Sequence, residues 1–175
     1  MQMGEAVKYR CSYCGKEHEE WPALGFNSPD PYHFLSDEEK QEIAELDSDF
    51  CVIKYSDQID RFIRCTFTQM VTDHCEDLEY GVWVSLSEKS FNDYKENYND
   101  EDYEATYFGW LSNSIPRYSF EQSIPLNVVT QKGNERPRIE PHSSFQHPFI
   151  DDCYNGITKA EAEKRINNMI NNSSI

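Results

Sequence analysis

The middle of the chain alternates between apolar and polar positions with the period of two that is typical of β-strands. Two such runs, 50–55 and 61–70, are joined by a short polar segment, which predicts a hairpin or neighbouring antiparallel strands. A third strand is predicted over 80–87, where valines and a leucine alternate with Trp83 and Ser85. Each strand is therefore expected to bury one face.

Other stretches repeat with the spacing of an amphipathic helix and begin with capping signals. The residues 36–49 predict a surface helix, because Ser36 and Glu39 form a capping box. Further helices are predicted over 87–98 and 156–170, the last with a capping box of its own at Thr158 and Glu161. Two late strands, 123–131 and 136–140, follow an acidic loop at 99–105 and a short aromatic element with a turn.

Strands in the middle of the chain with helices placed irregularly among them predict an α+β fold with a mainly antiparallel sheet and surface helices. A length of 175 residues fits one domain. We expect this domain over 9–171, preceded by a flexible N-terminus at 1–8 and followed by a tail at 172–175.

Negative charge is concentrated in two segments, and this limits the kinds of partner that the protein can bind. The formal net charge is -16, and 36–60 and 73–104 together account for all of it. Such a surface repels nucleic acid and anionic membranes, and it attracts a basic protein. An acidic surface that serves only solubility is the alternative. Aromatic residues make up 14% of the chain, which argues against disorder although the mean hydropathy is -0.80.

The chain has no apolar run near the roughly 20 residues that span a bilayer, and its start has no apolar signal segment. A cytoplasmic protein is therefore expected. Its six cysteines are then expected to be thiols or metal ligands rather than disulfides.

The segment Cys11-x-x-Cys14-Gly15 has the form of a metal knuckle, in which two thiolates converge on one ion from a tight turn. The glycine can adopt the positive φ that such a turn needs. A redox pair is disfavoured, because a charged stretch ending at Pro22 follows instead of a helix. Two free structural thiols are the other alternative.

A second CxxC is missing, so the remaining zinc ligands must come from elsewhere in the chain. His18 is the nearest in sequence, and Cys51 lies in a predicted strand. The further candidates are Cys65, Cys75, Cys153, His33, His74, His142 and His147. Four protein ligands would make a structural site, whereas three with an open position would make a catalytic one.

Several motifs together resemble a bacterial family known as domain of unknown function 2199. They are CSYCGKEH, DFCVI, RFIRC, YGVWVSLSEKSF, YFGWLSNSIPRY, GNERPRIE, HPF and NGIT. The Cys, His and His-Pro positions of the family pattern fall at Cys11, Cys14, His18, Cys51 and His147, and the resemblance supplies no activity. It favours Cys51 over the other late cysteines, and it also marks Arg64, Arg136 and Pro137. The segment before His147 departs from the family pattern.

No nucleophile elbow, HExxH, phosphate-binding glycine motif or similar catalytic signature is present in the sequence. The leading hypothesis is therefore a protein-binding module of immunity or inhibitor type, whose basic partner could be a toxin. Its structural zinc would be held by Cys11, Cys14, His18 and Cys51. Its partner-binding residues are predicted to be Asp77, Glu79, Asp100, Glu101, Asp102 and Glu104.

Two rival hypotheses stay open. One is a metal-dependent enzyme with an open site at Cys11, Cys14 and either His18 or Cys51, and with His147 or Arg64 nearby. The other is a housekeeping domain without a ligand. Metal content and coordination number would separate the first rival from the leading hypothesis.

Overall fold

The structure is a computed structural model that describes residues 8–10 and 17–172. The strands are β1 Lys8–Arg10, β2 Glu17–Glu19, β3 Leu24–Gly25, β4 Ala44–Leu46, β5 Phe50–Lys54, β6 Ile59–Gln69, β7 Leu78–Leu86, β8 Thr106–Leu111, β9 Pro125–Val129 and β10 Arg138–Pro141. The helices are α1 Asp30–His33, α2 Asp37–Ile43, α3 Glu88–Glu96, α4 Pro148–Asn155 and α5 Lys159–Asn172. No helix among the described residues is both long and apolar enough to cross a membrane.

The five strands from β6 to β10 form a closed barrel. Each strand pairs antiparallel with the next one along the chain, and β10 returns to pair with β6. Strand direction alternates in such a meander, so the first and the fifth strand run the same way. The closing pair is therefore parallel, with Arg138 opposite Thr66. The prediction of an α+β fold with a mainly antiparallel sheet is confirmed, and the closure into a barrel is new.

Strand β6 lies in a single eight-stranded sheet and has two different neighbours along one of its edges. One edge runs beside β7 from Arg61 to Gln69. The other edge pairs with β5 as far as Ile63 and then with β10 from Thr66 onward. Strand β4 extends the β5 side, so β4, β5 and β6 form an extension of the barrel.

The alternation seen in the sequence divides the sheet into two apolar faces. Inside the barrel, residues such as Ile63, Cys65 and Val82 pack in the main core with apolar side chains of α4 and α5. On the outer face, a smaller cluster is formed by Cys51, Ile53, Phe62 and Trp83. Burying one large apolar side chain stabilises a fold by about 1.5–3 kcal/mol, so both clusters hold the strands in register.

The predicted helix 36–49 begins as expected but is too long. Ser36 caps α2 with a reciprocal capping box to Glu39, in which its Oγ accepts from the Glu39 N–H at 3.1 Å. The helix ends at Ile43, and the chain continues from Ala44 as β4, paired with β5. The edge of β5 offers backbone hydrogen bonds to this segment, and that pairing overrides its helical propensity.

Near the C-terminal end, the sequence analysis missed one helix. Helix α4 begins at Pro148, after a His147 N-cap, between the predicted strand 136–140 and the predicted helix 156–170, where no helix was predicted. Helix α5 is confirmed, and the Thr158 hydroxyl accepts from the Glu161 N–H at 3.2 Å. The Glu161 carboxylate accepts hydrogen bonds from Arg117 and Arg165.

Candidate functional site

A crevice opens where β6 changes its neighbour. The Arg64 N–H donates to the Asp49 carbonyl at 2.9 Å, and the Thr66 N–H donates to the Pro137 carbonyl at 2.8 Å. Asp49 lies just before β5, and Pro137 lies just before β10, so both strands begin here and diverge from one another.

An ion pair bridges the crevice. Arg136 Nε lies 2.8 Å from Asp49 Oδ1. The hydroxyls of Ser48 and Tyr98 donate to the other oxygen of the Asp49 carboxylate, at 2.9 and 3.0 Å. Partial burial by itself would raise the pKa of Asp49. The hydrogen bonds, that from Arg136 first, outweigh the burial and lower this pKa below its usual value.

Among the arginines with described side chains, Arg64 is the one that forms no ion pair. Within the described part of the chain its Nε atom is buried without a hydrogen-bond partner, and no carboxylate lies within ion-pair distance of its guanidinium. The five other arginines with described side chains each form a salt bridge: Arg61, Arg117, Arg136, Arg138 and Arg165. Burial and the nearby charge of Arg136 lower the pKa of Arg64, partly offset by Asp49.

Two glycines make room for the Arg64 side chain on the outer face of the sheet. Gly25 of β3 pairs with Gly81 of β7, and both lie against this guanidinium. A Cβ atom on Gly25 would lie 3.3 Å from Arg64 Nη2, and one on Gly81 would lie 3.7 Å from Nε. The Trp83 ring lies on another side, with its centroid 5.9 Å from Arg64 Cζ.

The crevice widens into a cleft of about 660 Å³ between β6, the C-terminal end of α3 and the β9–β10 turn. Its lining residues include Asp49, Thr66, Thr68, Glu79, Tyr98, Asp100, Gln131, Arg136 and Arg138. The Arg64 side chain is not part of this lining but lies near it, because its charge interacts with those of Asp49 and Arg136, which both line the cleft. Thr66, the next residue on the same face of β6, lines the cleft as well. A volume of this size suits a small organic ligand or a peptide segment.

Comparison with known proteins places the chain in a family without assigning it an activity. The family model described as "Uncharacterized protein conserved in bacteria (DUF2199)" matches residues 10–157. The chain belongs to this family. Neither the curated proteins nor the solved structures include a match. The residues matched by DUF2199 contain the whole cleft and end before α5.

Three charged residues from separate DUF2199-like motifs converge at the cleft: Asp49, Arg64 and Arg136. Asp49 precedes the strand that carries Cys51, and it lies 87 positions from Arg136 in sequence. The sequence analysis marked both arginines but did not bring them together. Their occurrence in the resembling motifs was the only signal available, because the contacts depend on barrel closure.

The acidic residues predicted to bind a partner divide into three groups. Glu79 and Asp100 both line the cleft, and Glu79 accepts from the Thr68 hydroxyl at 2.8 Å. Glu101, Asp102 and Glu104 are exposed in the loop that follows Asp100. Asp77 has a local role, because its carboxylate accepts from the Val71 N–H at 2.9 Å.

The residues predicted to bind zinc are only partly covered by the structure. Cys11 and Cys14 lie outside the described residues, as does the side chain of His18, whose backbone pairs with Tyr9. Cys51 is 1% exposed within the outer apolar cluster. Burial, with a contribution from a nearby aspartate, raises the pKa of the Cys51 thiol to about 12. The described residues contain no group of three or more His, Cys, Asp or Glu side chains that could hold a metal ion.

His147 has a structural role in the fold. Its Nδ1 atom accepts from the Phe149 N–H at 3.0 Å, which caps α4. Its Nε2 atom lies 2.7 Å from the Ser119 carbonyl and therefore donates to it in the neutral ring. Pro148 supplies the first residue of the helix, where no N–H is needed. Both ring nitrogens of His147 are thus used within the protein.

Proposed function

We propose that the chain is a protein-binding module of immunity or inhibitor type that binds a basic partner at the cleft rim and the loop 99–104. The observation that carries this proposal is the position of Glu79 and Asp100 on one cleft, with exposed Glu101 and Asp102 directly after it. Among the described residues, none of these four carboxylates forms an ion pair, so each is free to meet a cation.

An aromatic side chain at the same place supports the proposal. Tyr98 lines the cleft with 39% of its surface exposed, and its hydroxyl is held by Asp49. Tyrosine is enriched among the residues that contribute most of the binding energy at protein interfaces. The net charge of -16 would speed the approach of a basic partner. A toxin that acts on nucleic acid presents a basic cleft, which such a surface could cover.

The proposal can be tested by binding the purified chain to a basic protein encoded beside its gene. The affinity is measured by calorimetry at low and at physiological salt. We compare the wild type with a variant in which three loop carboxylates become amides: Asp100→Asn, Glu101→Gln and Asp102→Asn. An amide keeps the size and the hydrogen-bond acceptor of each side chain, so the local turn at Asp100 is retained.

The matched control removes the same charge from α2. Its three substitutions, on exposed residues outside the cleft lining, are Asp37→Asn, Glu38→Gln and Glu42→Gln. We expect the loop variant to bind about ten-fold or more weakly and the α2 variant to bind almost as the wild type does. Equal losses in both variants, or an affinity that does not fall with salt, would contradict docking at this surface.

A further inference from the structure

We propose that Arg64 and Arg136 bind the carboxylate group of a ligand that lies in the cleft and carries a positive charge at its other end. This inference concerns a small ligand or a chain terminus. It does not depend on the protein partner proposed above, since a free amino acid would satisfy it.

The first support is the unpaired state of Arg64. A buried polar atom without a partner destabilises a fold by about 1–3 kcal/mol, and native proteins rarely leave one. Shortage of carboxylates is not the reason, because the chain has 32 acidic and 16 basic residues. The Gly25–Gly81 pair nevertheless leaves room for this guanidinium on the sheet surface. The terminal nitrogens of this guanidinium are not among the buried unpartnered atoms of the described residues, and an anion bound there would neutralise its charge.

The second support is the neighbouring arginine. Arg136 contacts Asp49 through Nε, and 41% of its side chain is exposed beside the cleft. Its terminal nitrogens are therefore available to a ligand. The charges of Arg64 and Arg136 are close enough to influence one another, and guanidinium groups favour a planar, bidentate acceptor, which a carboxylate provides.

The remaining charges of the cleft select the kind of anion. Asp49, Glu79, Asp100 and Glu135 line the same space, and they would repel a doubly charged phosphate more strongly than a carboxylate. Glu79 and Asp100 have no cation of their own among the described residues, so they can bind a positive group of the ligand. The ligand class is therefore an amino acid or the C-terminus of a peptide with a basic side chain.

The spacing of the two charge sites limits the ligand length. Arg64, Thr66 and Thr68 follow one another on one face of β6, and Thr68 bonds to Glu79. Four residues of strand span about 13 Å between Arg64 and Thr68, and long side chains shorten the gap. Free L-arginine and the tripeptide Arg-Gly-Gly, about 10 Å long when extended, are both shorter than this backbone distance, and the long side chains of the protein and the ligand close the remainder.

The test compares each ligand with its amide by calorimetry at low ionic strength. L-Arginine is matched with L-argininamide, and Arg-Gly-Gly is matched with its C-terminal amide. The amides are more positively charged, so non-specific attraction to this acidic protein would favour them. We expect the acids to bind at least ten-fold more tightly. The stronger of the two acids identifies the source, a free amino acid or a chain terminus.

The variant Arg64→Met removes the guanidinium, and Arg61→Gln is its control. Arg61 lies on the same strand, but its charge is already paired with Glu88. We expect Arg64→Met to lose the preference for acids over amides while its melting temperature is retained, and Arg61→Gln to keep the preference. Equal binding of acid and amide to the wild type would overturn the proposal. So would an unchanged preference in Arg64→Met, or inorganic phosphate binding as tightly as the acids.

Discussion

Replacement of Arg64 by methionine should leave the folded chain as stable as the wild type or more stable. The reason is that this guanidinium makes no hydrogen bond or ion pair within the described residues, and its Nε is buried. Methionine keeps most of the aliphatic stem against the sheet and removes the unpaired charge. If Arg64 serves a function and is not hydrogen-bonded within its own protein, its removal should not destabilise the fold. If Arg64 serves the structure, its removal should lower the free energy of unfolding.

The size of the effect follows from two opposing contributions. Removal of the buried Nε that lacks a hydrogen-bond partner should raise the free energy of unfolding by about 1–3 kcal/mol. Loss of the contact with the Trp83 ring, whose centroid lies 5.9 Å from Arg64 Cζ, removes about 0.5–1 kcal/mol. The net expectation is between no change and a gain of about 2 kcal/mol. For a chain of this length, each kcal/mol moves the melting temperature by about 2–4 °C.

Arg136→Met is the matched comparison for this measurement. It removes one positive charge as well, so the change in net charge is the same in both variants. It also takes the cation from Asp49, whose side chain is only 13% exposed, and should lower the free energy of unfolding by about 1–3 kcal/mol. Thermal and urea unfolding at pH 7 measure both variants. A loss in Arg64→Met as large as that in Arg136→Met would refute the reasoning.

Three other predictions concern pH, helix capping and metal. The lowered pKa of Asp49 stabilises the fold above the ordinary carboxyl pKa, and this contribution disappears as pH falls through the native value. Urea unfolding between pH 5 and 2 should therefore show a shallower pH dependence in Asp49→Asn than in the wild type. His147→Ala should destabilise the chain by about 1 kcal/mol in thermal melts, because α4 loses its N-cap, and His147→Asn should restore most of it. If zinc is structural, elemental analysis should find one equivalent in the wild type and a loss in both Cys11→Ser and Cys51→Ser, together with a lower melting temperature. Metal content unchanged in both variants would contradict the zinc site.

Local features of the fold could be predicted from the sequence because they depend on neighbours along the chain. The β5–β6 hairpin, β7 and the capping box of α2 each depend on residues a few positions apart. Helix α2 ends early because Ala44–Leu46 pairs with β5, and this tertiary contact leaves no mark in the helical pattern. The irregular segment before α4 concealed a cap, because histidine is an uncommon N-cap residue.

The cleft could not be predicted in the same way. It forms where β6 passes from one neighbour to another, and this depends on barrel closure between strands far apart in sequence. A motif can mark Arg64 and Arg136 as special without showing that they meet. Cys51 shows a second limit of sequence analysis. A cysteine in a strand has the same sequence pattern whether it is a core residue or a metal ligand, and the structure places Cys51 in the outer apolar cluster.

Our main proposal is that the protein binds its ligand in the cleft beside Arg64. An NMR titration of the ¹⁵N-labelled chain with Arg-Gly-Gly is the most direct test of this proposal. The predicted result is that the shifted amides cluster at Arg64–Thr68, at Asp49 and at Arg136–Arg138, and that the C-terminal amide of the peptide leaves them in place. Shifts of the same size with the amide, or shifts centred on α5 or on α2, would contradict it.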